Sequence, residues 1–300
     1  MVDFEKTKLL THKGCMDGSV CSIVFQAAGG RSDNVSYVSP GIAVDNAAKD
    51  ICKFYDGLLI IADLSVSEEV AEYLNFRGNV YLLDHHKTAL KLSKYNWCTI
   101  DEKNEKCGSM LLYNFVTRNA SNPFSVVKLK ELVTLADDHD RWIKQYPKTE
   151  DLKYLHDFLK QQKFVKRFIN DPRVVLSSIE AEFIEHEKDQ EKEYIDEVVS
   201  KAVFVDNLVD GKLYKIAYAL CGNYQSNVGH QLLNDGADLA VLIDKEKVSL
   251  RSNDRVDCSV IAELNLGGGH RGASGVRLEG ILGKSLLDLV KEKIRLVKLA

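Results

Sequence analysis

Two hydrophobic patterns divide the chain. In the first 90 residues, short apolar runs alternate with longer amphipathic stretches, a pattern that predicts β-α-β units and a parallel sheet. The apolar runs predict strands at residues 8–11, 35–39, 58–62 and 80–83. The stretches between them predict helices at residues 19–28, 45–55 and 67–76, and Ser67 and Glu68 suit the start of the last one.

Helices dominate from residue 108 to about 201, and the pattern then changes again. Residues 178–203 carry runs of Glu and Lys but no sustained apolar heptads, so we favour a solvated connecting helix over a partner-binding coiled coil. Beyond it we predict three strands, the last two forming a hairpin, and three helices. The strands are at 215–220, 239–243 and 248–251, and the helices at 226–234, 257–265 and 284–298.

These elements predict an α/β fold with two domains, in agreement with a length of 300 residues at roughly 150 residues per domain. The N-terminal domain, residues 1–177, is built on the parallel sheet. Residues 178–202 form a helical linker, and residues 203–300 form a smaller mixed α/β domain.

Charge and cysteine content restrict the partners and the compartment. Forty Lys and Arg against 44 Asp and Glu leave a net charge of −4, which argues against a surface that coats long nucleic-acid duplexes. The seven cysteines are scattered and contain no C-x-x-C pair, as in reduced cytosolic proteins. We see neither a signal peptide nor a long apolar span, and therefore expect a cytoplasmic protein without a membrane segment.

Three of the four early apolar runs end in residues that bind metals. These are His12, Asp63 and the triplet Asp84, His85 and His86, with Asp17 on the turn into the next helix. Each residue taken alone is more often a helix cap or a packed histidine. Because the carboxyl ends of parallel strands converge in an open sheet, their coincidence favours a metal site instead. Imidazoles together with carboxylates suit manganese or a related divalent ion.

Two further clusters carry candidate chemistry. Asp137, Asp138 and Asp140 are either a charged helix end or the source of one more carboxylate ligand, and the residues alone leave the choice open. The second is the run Gly267, Gly268, Gly269 and His270, with Arg251 and Arg271 nearby. It is either an ordinary glycine-rich turn or a pocket whose backbone N–H groups approach a phosphate.

In their order along the chain, these motifs resemble those of the DHH phosphoesterase superfamily with its C-terminal DHH-associated domain. The matching segments are HKGCMDG (12–18, typical of the H-x-x-C-x-D-G branch), IADLSVS (61–67), LLDHHKTA (82–89), DDHDRW (137–142) and residues 249–275. A triplet alone is weak evidence. Five motifs in the expected order are specific.

The resemblance implies a role for each matching residue. His12, Asp17 and Asp63 correspond to the ligands of one divalent ion, and Asp63, His85 and Asp138 to the ligands of a second. Asp138 is preferred because an aromatic residue, Trp142, follows it by four positions, and Asp137 is the reserve. Asp84 corresponds to the residue that orients the histidines, and His86 to the one that faces the phosphate. The ions are expected to be two Mn²⁺, with Mg²⁺ or Co²⁺ as alternatives.

Two positions in the first motif need separate comment. Ser19 stands where many family members carry a second Asp, which bears on the count of two ions. Cys15 lies inside the same motif, where the branch pattern indicates a packing role rather than a nucleophile or a ligand.

The resemblance also implies an active site in the cleft between the domains, with a substrate pocket on the second domain. The pocket is formed by Arg251, Ser252, Gly267, Gly268, Gly269 and His270, and also by Arg271, which lies outside the fixed positions of the family motif. A chain with only these two domains resembles the stand-alone nanoRNase and oligoribonuclease members, and a homodimer is compatible with them. We therefore expect a metal-dependent phosphodiesterase that uses a metal-activated water to cleave very short RNA or linear dinucleotides such as pGpG to mononucleotides.

Three alternative functions stay open. The same pocket suits a phosphatase of 3′-phosphoadenosine 5′-phosphate, and the metal site also suits hydrolysis of pyrophosphate or polyphosphate. A catalytically weak nucleotide sensor is the alternative from another class, and Ser19 is its support.

Overall fold

The computed structural model describes residues 1–209, 211–245 and 247–277. Its first sheet has five parallel strands in the order β2-β1-β3-β4-β5. Their bounds are β1 Thr7–His12, β2 Val35–Val38, β3 Leu58–Ala62, β4 Val80–Asp84 and β5 Cys98–Ile100.

Helices cover both faces of this sheet. They are α1 Met16–Ala27, α2 Ile42–Phe54, α3 Glu68–Arg77, α4 Gly108–Asn119, α5 Phe124–Val127, α6 Lys130–Asp140 and α7 Pro147–Asn170. Alternate strand residues enter two separate cores, as the pleat requires. Leu9 and Ile60 pack in the core with α1, α4 and α6, whereas Leu10, Leu59 and Ile61 pack in the core with α2 and α3.

The chain divides into two compact units, and the division falls within α8 (Ser178–Ser200), after Ile184. The second unit contains a mixed sheet in the order β10-β11-β9-β8-β7-β6, in which only β7 and β8 are parallel neighbours. Its elements are β6 Val203–Val209, β7 Lys212–Leu220, α9 Gln225–Asn234, β8 Leu239–Ile243, β9 Lys247–Ser252, α10 Cys258–Leu264, β10 Gly268–His270 and β11 Ala273–Arg277. None of the described helices, including the long α7 and α8, is long and apolar enough to cross a membrane.

The α/β fold class, with a parallel sheet followed by a second, mixed sheet, is confirmed. The four early strands and the long helix after residue 177 lie where the hydrophobic pattern predicts them. β5, β6, β10 and β11 were not predicted, because each is short, exposed or glycine-rich and lacks a sustained apolar run. The helix predicted at 284–298 lies outside the described residues.

The strand order determines where ligands can bind. β2 lies on one side of β1, whereas β3, β4 and β5 follow on the other side, so the order reverses between β1 and β3. In open α/β sheets, ligands bind at the carboxyl ends of the strands beside such a switch point. His12 ends β1 and Asp63 directly follows β3, so both lie at this position.

Candidate metal centre

Asp63 is the centre of the cluster. One carboxylate oxygen, Oδ2, lies 3.6 Å from Nδ1 of His12, and the other, Oδ1, lies 3.6 Å from Nε2 of His85. The Asp63 side chain is 2% exposed. It therefore lies between a histidine from the end of β1 and a histidine that follows β4.

The Asp63 backbone turns sharply out of β3. Its φ is 60°, in the left-handed region that few non-glycine residues adopt, and its N–H donates to the Leu83 carbonyl at 3.0 Å. Gly108, at the start of α4, packs so closely against it that a Cβ there would lie 2.6 Å from the Cβ of Asp63 and 2.7 Å from its Cα. Such strained backbone is common at functional sites.

The carboxylate of α6 that lies next to His85 is Asp140, whereas the family resemblance favours Asp138 as the ligand, with Asp137 as the reserve. Oδ2 of Asp140 lies 3.2 Å from Nε2 of His85. The buried Asp138 carboxylate instead accepts hydrogen bonds from the Gln145 N–H at 2.9 Å and from the Thr149 hydroxyl at 2.5 Å.

Asp137 is also occupied elsewhere. Its carboxylate accepts from the Cys107 N–H at 2.7 Å and from the Arg141 guanidinium at 3.0 Å. Asp137 therefore binds Cys107 and Arg141, whereas Asp138 binds the segment that leads into α7.

Asp17 lies in the first turn of α1 and is buried. Both of its carboxylate oxygens accept from the Ser109 N–H, at 3.1 and 3.2 Å, and Oδ1 also accepts from the Cys107 thiol at 2.8 Å. Sequence reasoning missed this contribution of residues 107–109. The available signal was a Gly-Ser pair at the start of a helix, whose free N–H groups favour anions.

The two histidines of the triplet, which begins at the last residue of β4, have different partners. Oδ1 of the fully buried Asp84 accepts from the His85 N–H at 2.9 Å and is 2.7 Å from Nδ1 of His86. This contact orients the His86 ring, which is 40% exposed, and raises the pKa of His86. The predicted orienting contact of Asp84 is thus present with His86, whereas His85 faces Asp63 and Asp140.

Burial and neighbouring charges shift the pKa values of three residues in the cluster. Burial favours a higher pKa for Asp63, but its close contacts with His12, His85 and Cys15 lower it to about 2. Burial, and then the charge of Asp63, raises the pKa of Asp140 to about 6. Burial opposes the charged form of His85, yet the neighbouring carboxylates raise its pKa to about 10. The carboxylates of Asp63 and Asp140 therefore carry more negative charge than the neighbouring imidazoles neutralise.

These residues fit a divalent cation. Nε2 of His85 and Oδ2 of Asp84 are buried without a hydrogen-bond partner. Ligand atoms lie within 4.8 Å of one another in three groups among the described residues: Asp63, Asp84, His85 and His86; His12, Cys15 and Asp63; and Asp17, His85 and Asp140. Imidazole and carboxylate donors suit Mn²⁺, Mg²⁺ or Zn²⁺.

Ser19, the departure from the family pattern, belongs to a hydrogen-bond network outside these groups. Its hydroxyl donates to the Cys15 carbonyl at 2.8 Å and lies 2.9 Å from Nε2 of His156. The Gln161 amide donates to the same hydroxyl at 3.2 Å and to the His12 carbonyl at 3.1 Å. Ser19 therefore links the start of α1 to α7.

The candidate substrate residues lie together in the second unit. Ala273 of β11 pairs with Arg251 of β9 and with His270 of β10, and Ser252 donates its N–H to Gly272. The run of glycines forms the exposed edge strand β10 instead of a simple turn. Two of the glycines are needed there, because a Cβ would lie 2.1 Å from the Gly275 carbonyl oxygen at Gly267, just before β10, and 2.5 Å from Cα of Ser274 at Gly269.

The two arginines of this group already have partners. Arg251 donates to the Ser226 hydroxyl at 3.1 Å, and Arg271 lies 3.3 Å from the Asp257 carboxylate. Arg271 is therefore the less available of the two for a substrate phosphate, since its charge is paired.

No model of a known protein family matches the chain. Among curated proteins, it is 28% identical over 289 residues to the oligoribonuclease NrnB of Bacillus subtilis (strain 168). That match covers 87% of this chain and 70% of the relative.

Solved structures share the fold at low sequence identity. The DHH domain of a protein described as a member of a ribosomal-protein family matches with a TM-score of 0.65 and 14% identity, over 98% of this chain and 88% of that one. The pGpG-specific phosphodiesterase PggH of Vibrio cholerae matches with a TM-score of 0.57 and 13% identity, over 95% and 96%. RecJ of Thermus thermophilus in complex with Mn²⁺ matches with a TM-score of 0.55 and 13% identity, over 96% and 51%.

The chain therefore has the two-domain fold of DHH proteins, and the resemblance predicted from its motifs is confirmed. Within that fold, its sequence is similar to an oligoribonuclease.

Proposed function

We propose that this protein is a metal-dependent phosphodiesterase that cleaves very short oligonucleotides or linear dinucleotides, such as pGpG, to mononucleotides. One observation carries the proposal: Asp63 lies between His12 and His85 at the switch point of the sheet, with Asp140 beside His85. The similarity to an oligoribonuclease supports the substrate class, and the fold shared with a pGpG-specific phosphodiesterase agrees with it.

Five side chains are proposed to hold two divalent ions, with Mn²⁺ as the preferred metal. They are His12, Asp17, Asp63, His85 and Asp140, and the position of Asp63 between His12 and His85 supports a contribution of its carboxylate to both ions. When bound, such ions would activate a water for attack on phosphorus and neutralise charge on the phosphate. RecJ, which shares the fold, has been solved with Mn²⁺.

His86 is proposed to act on the phosphate. Its Nδ1 is engaged with Asp84, so Nε2 is the nitrogen that remains for a substrate oxygen. The raised pKa of His86, which the Asp84 hydrogen bond causes, favours the protonated ring. A protonated Nε2 can donate to a phosphate oxygen or to the leaving oxygen.

The second unit is proposed to bind the remainder of the substrate through Arg251, Ser252, Gly267, Gly268, Gly269, His270 and Arg271. Arg251 and His270 are the most suitable of these, because the Arg271 guanidinium pairs with Asp257. A small basic group on a chain of net charge −4 suits short substrates better than long polymers.

The test is a turnover assay with Mn²⁺, Mg²⁺ or Co²⁺, in which chromatography follows mononucleotide release. The substrates are 5′-phosphorylated diribonucleotides, a longer RNA, linear and cyclic dinucleotides, and 3′-phosphoadenosine 5′-phosphate. We expect rapid cleavage of the shortest linear substrates only. Fast release of phosphate from 3′-phosphoadenosine 5′-phosphate alone, or nucleotide binding without any product, would contradict the proposal.

Matched variants test the roles of the two units. Asp63→Ala should lower kcat by about a thousandfold or more, since it removes the carboxylate between His12 and His85. Asp33→Ala, at an exposed carboxylate that pairs with Arg31 and belongs to none of the ligand groups, should leave kcat unchanged. His270→Ala should raise KM and leave kcat nearly intact. A near-normal rate for Asp63→Ala with Mn²⁺ present would exclude this metal centre.

A further inference from the structure

We propose that Cys15 is a ligand of this centre, so that His12, Cys15 and Asp63 form a site with one nitrogen, one sulfur and one oxygen donor. Such a site binds thiophilic dications, Zn²⁺ and Cd²⁺, through the Cys15 thiolate. The inference rests on the proposed metal centre and assigns to it a residue for which the sequence pattern indicated only packing.

The geometry places three donor atoms together. Sγ of Cys15 lies 3.1 Å from Oδ2 of Asp63, and Nδ1 of His12 lies 3.6 Å from the same oxygen. All three ligand atoms lie within 4.8 Å of one another. Cys15 and His12 are partly exposed whereas Asp63 is buried, so a cation can reach the group from solvent.

Asp17 is not part of this group, although the family resemblance assigns it to the same ion as His12 and Asp63. Both of its oxygens are held by the Ser109 N–H and one also by the Cys107 thiol. Its ligand atoms group instead with those of His85 and Asp140. Cys15 therefore supplies the third donor next to His12 and Asp63.

A buried donor without a partner points to the same centre. Nε2 of His85 has no hydrogen-bond partner, its side chain is 8% exposed, and it lies 3.6 Å from the second oxygen of Asp63. The Asp63 carboxylate thus has Cys15 and His12 at one oxygen and an unpartnered imidazole at the other.

Binding requires only local changes. The Cys15 thiol now donates to Asp63, and Sγ accepts from the Gly18 N–H at 3.1 Å. When a dication binds, the thiol proton leaves to solvent and an Sγ–metal bond replaces the hydrogen bond. Oδ2 of Asp63 is then free to bind the same ion. The Gly18 N–H continues to donate to Sγ. Because thiolates prefer softer metals, the Cys15 ligand should strengthen the binding of Zn²⁺ and Cd²⁺ more than that of Mn²⁺ or Mg²⁺.

The experiment is a titration of the metal-free full-length protein with Cd²⁺, followed by thiolate-to-metal charge-transfer absorption in the ultraviolet. The wild type should give one saturating band, which Cys15→Ser and Cys15→Ala both lose. Their Cd²⁺ affinity should fall at least about tenfold, whereas their Mn²⁺ affinity, measured by electron paramagnetic resonance of free Mn²⁺, should change by less than about threefold. Cys98→Ser is the matched control, since Cys98 is the other partly exposed thiol, and it should keep the band.

Any other result of this titration decides against the inference. Cys15→Ser can still cap α1 by accepting from the Gly18 N–H, and circular dichroism checks that both variants fold. A band that persists in both Cys15 variants, or equal losses of Cd²⁺ and Mn²⁺ affinity, overturns the inference. A wild type that binds Mn²⁺ and cleaves dinucleotides but shows no band overturns the inference and leaves the proposed function standing. A wild type that binds neither metal overturns both.

Discussion

Two carboxylates two positions apart on α6 have different surroundings. Side chains separated by two positions on a helix point in directions about 200° apart. Asp140 accordingly faces His85, whereas Asp138 turns to the Gln145 N–H and the Thr149 hydroxyl. One residue is placed to bind a cation and the other to hold the loop that leads into α7.

This difference predicts opposite effects for two isosteric variants. Asp140→Asn should weaken Mn²⁺ binding at least about tenfold, because a charged donor beside His85 is lost. The Tm of the metal-free protein should stay the same or rise, since burial and the charge of Asp63 raise the pKa of Asp140 to about 6 and ionised Asp140 therefore destabilises the fold at neutral pH. Calorimetric titration and thermal melts measure the two effects.

Asp138→Asn should do the reverse. It should destabilise the fold by roughly 1–3 kcal/mol, because a buried carboxylate that accepts from Gln145 and Thr149 loses one acceptor. Its Mn²⁺ affinity should remain within about threefold of the wild type. If Asp138→Asn abolished metal binding in a stable protein and Asp140→Asn did not, the assignment of Asp140 would be wrong.

At the scale of elements, the start of α4 packs against the end of β3. Gly108→Ala would place a Cβ 2.6–2.8 Å from the Cβ, Cα and N of Asp63. Ala normally favours a helix by about 1 kcal/mol over Gly, so a lower Tm would have to come from this close contact. We expect Gly108→Ala to lower both Tm and Mn²⁺ affinity. Gly222→Ala, whose Cβ would meet one side-chain atom at 3.8 Å, is the control and should change neither. A normal Mn²⁺ affinity in Gly108→Ala would show that Asp63 can still bind the metal when a Cβ is added at residue 108.

The α7 helix contains a kink at Lys160, where φ is 57° and ψ is 165°. This conformation is almost restricted to glycine and costs other residues about 1–3 kcal/mol. The kink immediately precedes Gln161, which donates to the His12 carbonyl at 3.1 Å and accepts from the Gly14 N–H at 3.1 Å. The strained residue thus adjoins the contact that holds the loop after β1.

Replacing Lys160 by glycine should therefore stabilise the protein. We expect Lys160→Gly to raise the free energy of unfolding by about 1 kcal/mol, because glycine adopts this backbone without steric cost. Lys163→Gly, at an exposed helical position in the same α7, should lower it by about 1 kcal/mol. Urea unfolding of the two variants measures the contrast. Equal destabilisation by both would mean that residue 160 is helical in solution.

At the scale of the whole molecule, the sequence predicted those elements whose patterns are local. β1, β3 and β4 are largely buried apolar runs, and a polar ligand type ends the strand or directly follows it in each case, so strand and site residue were visible together. β10 has three exposed residues, two of them glycines, and its pairing with β11 depends on tertiary contacts that no pattern encodes.

In the candidate site too, the sequence predicted only what depends on local patterns. His12, Asp63 and His85 follow from strand ends, whereas the choice of Asp140 over Asp138 depends on the rotation of α6 against the sheet. The proximity of Cys15 to Asp63 depends on the left-handed backbone conformation of Asp63. An Asp in the sequence does not by itself predict that conformation, which only Gly adopts routinely. Rotations and turns of this kind arise from packing between distant segments.

The two units should respond to different perturbations. The proposed metal ligands lie in Met1–Ile184, and each core cluster of the described residues lies within one unit. Mn²⁺ at a hundred times its Kd should therefore stabilise the first unit by about 2.7 kcal/mol and leave the second unchanged. Hydrogen exchange read by mass spectrometry assigns the protection to peptides of each unit.

Asp238 allows the stability of the second unit to be tested separately. Its side chain is only 7% exposed. It accepts hydrogen bonds from the Arg255 guanidinium at 2.9 Å, the Asn253 amide at 3.0 Å and the Lys215 N–H at 3.0 Å. Burial favours a higher pKa for Asp238, but these hydrogen bonds lower it. Its stabilisation is therefore complete above the ordinary Asp pKa of about 4 and is lost as pH falls through the lower pKa of the folded state. At pH 7, Asp238→Asn should destabilise the second unit by roughly 1–3 kcal/mol, and the difference from the wild type should shrink below about pH 4. Loss of protection in both units of Asp238→Asn at pH 7 would show instead that the two units unfold as one.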